Sequence, residues 1–136
     1  MEQYTQAAPV SKSTLWIGRV ISGLVVLFLL FDGGGKLVKS ANVVQWHVQL
    51  GYPESVILPL GIVLLISTVL YVIPRTSVLG AILLTGYLGG AVATHVRVGD
   101  PLFKVIMPPV LGALIWGGLY LRDVRLRDLL PLRKEK

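Results

Sequence analysis

Residues 70–101 read LYVIPRTSVLGAILLTGYLGGAVATHVRVGDP and hold the end of one apolar run, a break, a second apolar run and its polar exit. Proline disfavours helix at the residue before it, so Pro74 ends the first run. From 76 to 96 there is no Asp, Glu, Lys or Arg. About 20 such residues are what a helix needs to cross the hydrocarbon of a bilayer. The run closes at Arg97, Asp100 and Pro101. Two spans joined by so short a link must lie antiparallel.

The same reading extends in both directions. The second span covers 54–73, the third 76–96 and the fourth 102–121, where Pro108 and Pro109 remove two backbone donors and predict a kink or a loosened turn. The first span opens near Ser13 or Thr14 as a helix cap and reaches Asp32, a rise of about 27 Å. Asp32 then lies at the far interface, and Gly33-Gly34-Gly35 reads as the C-terminal stop. Arg19, one turn inside the near end, can carry its guanidinium back to the headgroups. Residues 36–50 place Leu37, Ala41, Val44 and Val48 at helical spacing before Gly51 and Pro53, which predicts a short interfacial helix. Trp46 and Tyr52 belong at headgroup depth. The fold class is therefore all-α, an antiparallel four-helix membrane bundle over 14–121. Residues 1–13 read as a flexible tail, and 122–136 as a basic amphipathic tail with Leu126, Leu129 and Leu130 as its apolar stripe.

Composition agrees. Of 136 residues 54% are apolar and 15% charged, against about 25% charged in a soluble domain, which excludes a soluble globule. The chain has no cysteine, so disulfides, thiolate metal sites, iron–sulfur clusters and dithiol redox pairs are excluded too. Of the thirteen Lys and Arg, nine fall on the side of the termini and Arg75, and four (Lys36, Lys39, Arg97 and Lys104) on the other. The basic side stays in the cytoplasm, so both termini are expected there. The net charge of +6 reads as orientation and attraction to anionic lipid. Nucleic acid is not an expected partner, because no folded soluble surface is left to carry it.

Two constellations are candidates for function. Gly86, Gly90, Ala93 and Arg97 share one face of the third span within about 60°, so a neighbouring helix is expected against the Gly86/Gly90 pair, with Ala113 and Gly117 in the fourth span and Gly18 and Ser22 in the first as matching small pairs. The alternative is a lipid or pigment seat on the glycines. At the non-cytoplasmic end lie Asp32, Lys36, Glu54, His95 and Arg97, together with His47. Desolvated charges need partners, so Asp32 or Glu54 is expected to pair with Lys36 or Arg97, with His95 joining them or facing a quinone-like headgroup. The alternative is a solvated rim. No phosphate loop, metalloprotease motif or nucleophile with its base is present, and no intrinsic cofactor or metal is expected; quinone or lipid at the outer end or the glycine face remains open.

Residues 70–101, with FDGGGKLVK at 31–39, LGYPES at 50–55 and GLYLRDVRLRDLLPLR at 118–133, resemble the DoxX-like family of small four-span bacterial membrane proteins. The resemblance covers nearly all the chain after residue 14. It implies an accessory subunit docking on a larger, redox-linked membrane complex, with other membrane subunits and lipid as partners. A quinone-linked oxidoreductase subunit, with His95 or Arg97 on a quinone carbonyl, is the alternative, and a small-solute transporter stands third. Many relatives carry a glutamate in the second span where this chain has Leu64. The resemblance thus implies an interior without a mid-membrane acid, and carries over Asp32, Lys36, His95 and Arg97.

Overall fold

The computed structural model describes residues 11–129. The expectations for residues 1–10 and for Leu130, Arg133, Lys134 and Lys136 lie outside the described residues. Helix α1 (Lys12–Leu37) is capped by Ser11, two residues before Ser13 and three before Thr14, because the Ser11 hydroxyl accepts from the Thr14 backbone N–H. It also runs straight through the triglycine, which does not act as a stop. Gly33 is buried against the Leu65 side chain, and a Cβ on Gly61 would lie 2.7 Å from Lys36 Cβ. These glycines let two backbones approach, and in lipid such close packing replaces the hydrophobic drive. The real stop is Lys39, at φ +49°, where the Lys39 and Ser40 N–H groups donate back to Lys36 O and Gly35 O in a Schellman closure.

Ser40 then caps α2 (Ala41–Gln49) through its side chain, so the single helix expected over 36–50 is two pieces with a corner between them. Gly51 ends α2 at φ +88°. A 3-10 turn at Glu54–Val56 leads into α3 (Ile57–Val72), which stops before Pro74 as the proline rule requires. Helix α4 (Ser77–Arg97) and helix α5 (Leu102–Arg122) follow, and α6 (Val124–Leu129) folds back so that Leu126 joins the core. Pro108 and Pro109 lie within α5, which stays helical through them.

Helices α1, α3, α4 and α5 form a ring in which α1 packs on α3 and α5, and α4 on α3 and α5. Leu29, Leu64, Tyr71, Leu84, Ile115 and Leu119 fill its centre. The exterior is apolar instead of polar: Phe31 is 84% exposed and Trp16 61%. That is the surface a lipid solvent asks for, and all four long helices are long and apolar enough to span a membrane.

The end of the ring that carries Lys12 and Arg122 is tightly closed. A Cβ on Gly80 would collide with the Tyr71 backbone, and one on Gly18 would sit 2.9 Å from Gly118 O. Tyr71 crosses the ring there: its hydroxyl donates to Ile115 O at 2.7 Å and lies 3.1 Å from Ser22 Oγ. Arg122 closes the knot, donating from Nε to Ser22 Oγ at 3.1 Å and from Nη2 to Tyr71 O at 3.2 Å. Buried hydroxyls are costly unless paired, and among the described residues no buried side-chain nitrogen or oxygen lacks a partner.

Candidate functional site

At the far end α1 places Asp32 and Lys36 on adjacent turns, possible only because the helix continues through the triglycine. Lys36 Nζ donates to Asp32 Oδ1 at 2.6 Å. The Lys36 side chain is 4% exposed and that of Asp32 37%, so the cation is buried while the anion stands at the rim. The Lys36 stem lies on Gly61, and its ammonium sits 5.9 Å from the Tyr87 ring centre across the ring of helices, a cation–π distance. Among the described residues Asp32 is the only hydrogen-bond partner of Lys36 Nζ. An ammonium carries three N–H bonds, so two remain for other acceptors.

These groups form one wall of a cavity of about 380 Å³. Helix α4 gives Gly86, Tyr87, Gly90 and Thr94, the last turn of α2 gives His47, the corner after it gives Tyr52, and Phe28, Leu60 and Met107 complete an apolar lining. Tyr52 anchors the corner to α4. The Thr94 hydroxyl donates to Gly90 O at 2.8 Å, so the 2.6 Å contact between Tyr52 and Thr94 has the tyrosine as donor. His47 Nδ1 lies 2.8 Å from Val43 O. A carbonyl only accepts, so Nδ1 carries a proton, and in the neutral ring Nε2 is an acceptor.

The glycine face is where expectation and structure part. A Cβ on Gly86 or Gly90 would meet nothing within 4 Å: among the described residues no helix packs there, and the two glycines are cavity wall. Helix α4 turns Ala81, Leu84 and Leu88 to the core instead, roughly half a turn of the wheel away. Ala93 and Ala113 are exposed, and Gly117 has open space above it. Gly18 and Ser22 do lie at a seam, but their partner is Gly118. The close contacts elsewhere belong to Gly33, Gly61 and Gly80.

The pairing expected between Asp32 or Glu54 and Lys36 or Arg97 is made by Asp32 and Lys36, and among the described residues His95, Arg97 and Glu54 do not join it. His95 Nδ1 pairs with Asp100 Oδ2 at 2.6 Å, because the turn after α4 folds Asp100 back beneath it. Arg97 Nη2 donates to Leu50 O at 2.8 Å and so latches the end of α2 to the end of α4. Glu54 is exposed and forms no ion pair among the described residues. Leu64 is fully buried in the core, so the interior charge comes from α1. Sequence reasoning left out Tyr87 and Thr94, and placed Tyr52 at headgroup depth without its part in the cavity. One signal was available: Tyr87, Gly90, Ala91 and Thr94 repeat at i, i+3, i+4 and i+7 and all line the cavity.

A four-span helical membrane protein with a cavity at one end of its bundle is the class these features define. The chain belongs to the DoxX-like family, whose model matches residues 20–118, most of the four spans. No curated protein and no solved structure matches the chain.

Proposed function

We infer that the protein is an accessory subunit of a larger membrane assembly in the bacterial cytoplasmic membrane, with both termini cytoplasmic and no catalytic group of its own. Its far-end cavity holds the head of an amphipathic, acceptor-bearing ligand, and a quinone is the class that fits. The observation that carries this reading is Lys36, a buried ammonium with a single acceptor among the described residues, at the wall of a cavity of about 380 Å³. Small-ligand sites run from about 300 to 1,000 Å³. A quinone carbonyl would accept from Lys36 Nζ, and Phe28, Tyr87 and Met107 would bound the ring. This moves the polar contact from His95 and Arg97, which are engaged elsewhere, to Lys36. Electrons would come from a partner subunit, since the chain has no cysteine. With such a partner the assembly as a whole would be a quinone-linked oxidoreductase.

Extraction in mild detergent, native mass measurement and an absorption spectrum test the reading. A complex heavier than the single chain, carrying a solvent-extractable quinone that is lost in Lys36→Met, is the expected result. A lone chain at native expression would overturn the accessory role. Absence of quinone, with no thermal shift on adding a short-chain quinone, would overturn the ligand. Orientation is checked with Glu54→Cys and Arg75→Cys, each in a chain with no other cysteine. The two should label from opposite sides, Arg75→Cys from the cytoplasm.

A further inference from the structure

The closed end carries a second feature that the cavity does not use. Arg19, Arg122 and Arg125 border a groove of about 270 Å³ between the start of α1, the α3–α4 turn at Pro74 and the start of α6. Arg122 is half-buried and spends its hydrogen bonds on neutral oxygens, Ser22 Oγ and Tyr71 O. Among the described residues it has no carboxylate partner, nor has Arg19. Arg125 meets Asp123 at 3.3 Å. Three cations thus face one acid at the depth of a headgroup layer, and a partly desolvated guanidinium without a counter-ion asks for one.

The groove does not stop at the interface. Arg19 and Arg122 also border a second depression of about 220 Å³, which runs into the span between α1 and α3 along Ser22, Gly23, Val26 and Val72. A Cβ on Gly23 would meet nothing within 4 Å, so the glycine keeps that trough open. An anion site joined to an apolar trough in the membrane is the shape of a phospholipid.

We propose that Arg19, Arg122 and Arg125 bind the phosphate of an anionic phospholipid, whose acyl chain lies in the trough between α1 and α3 beside Gly23. A guanidinium fork matches phosphate oxygens in pairs. The trough selects a lipid over free phosphate, and the surplus of arginine over acid selects an anionic headgroup over a zwitterionic one. This site is separate from the far-end cavity and does not depend on the quinone reading.

The test is native mass measurement of the full chain in mild detergent, titrated with phosphatidylglycerol, phosphatidylcholine or inorganic phosphate. Phosphatidylglycerol should be retained in preference to phosphatidylcholine. Arg122 also holds the fold, so the variants spare it: R19Q/R125Q should weaken phosphatidylglycerol retention by about 25-fold, at about fivefold for each basic residue near an anionic surface. Gly23→Leu should weaken retention while the melting temperature holds. Asp123 Oδ1 caps the Arg125 backbone N–H, and Asp123→Asn keeps that cap while removing the competing charge, so retention should rise. The triple variant R133Q/K134Q/K136Q should keep the preference. Equal retention of the two lipids overturns the proposal, as does loss of the preference in the tail variant but not in R19Q/R125Q. Inorganic phosphate competing fully at equal concentration, with Gly23→Leu silent, overturns the lipid as the occupant.

Discussion

The two ends of this bundle are built from the same residue types and behave oppositely. Each has a glycine-rich helix face, a tyrosine at the ring and a cation withdrawn from solvent, half-buried Arg122 at one end and buried Lys36 at the other. At the terminal end Gly80 sits beneath the Tyr71 backbone and Gly18 against Gly118 O, while Gly23 opens a trough toward lipid, and the Tyr71 hydroxyl and Arg122 spend their bonds on the protein. At the far end Gly86 and Gly90 face open space, Tyr87 borders the cavity, and Lys36 has one hydrogen-bond partner among the described residues. A glycine therefore does not announce packing; the same missing side chain serves a seam in one place and a cavity in the other. What differs is whether a second helix is near enough to use the space.

The largest test of that contrast is alanine at the two kinds of glycine. Gly80→Ala sets a methyl against the Tyr71 backbone, which cannot rotate aside, and should cost at least about 3 kcal/mol or abolish folding in a detergent melt. Next comes the far-end ion pair, where exposure makes the two halves unequal. Asp32→Asn strands a buried ammonium and should cost about 2 kcal/mol. Lys36→Met removes the buried charge and leaves Asp32 at the rim, so its cost should stay below about 1 kcal/mol. If the order of these two is reversed, Lys36 is not the desolvated partner.

Tyr71→Phe removes a hydroxyl that joins Ser22 and Ile115 and should cost about 1 kcal/mol, with the Arg122 side chain gaining mobility. The smallest effect is expected at the cavity wall. Gly90→Ala should be neutral or stabilising by up to about 1 kcal/mol through helix propensity alone, and Gly90→Leu should keep the melting temperature while excluding a bound ring. A loss as large as that of Gly80→Ala would mean that the two glycine faces are alike after all.

The four spans, their order and the short turn at Pro74 were legible because each rests on a local quantity: run length without charge, and a proline that ends a helix. Gly51 and the helical continuation to α2 were half legible. The 3.6-residue spacing over 36–50 was real, but spacing does not register a corner at Lys39, whose left-handed backbone is a choice few non-glycine residues make. Asp32 and Lys36 at i, i+4 were readable as a pair. The burial of one and not the other was not, because it depends on Gly61 in another span.

The sequence by itself determined that the chain crosses a membrane four times, that the far end carries ionisable groups, and where each crossing begins and ends to within a turn, save the end of the first, which lies five residues beyond Asp32 at Leu37. Those properties follow from transfer of each segment into lipid, which needs no neighbour. Only the tertiary structure decided which glycines are seams and which are wall, that Gly118 rather than Gly117 meets Gly18, that His95 turns to Asp100 and Arg97 to Leu50, and that Lys36 rather than either of them lines the cavity. One residue of shift on a helix turns a side chain by about 100°. Such choices are settled by the fit of four surfaces at once, and that fit is not encoded in any one of them.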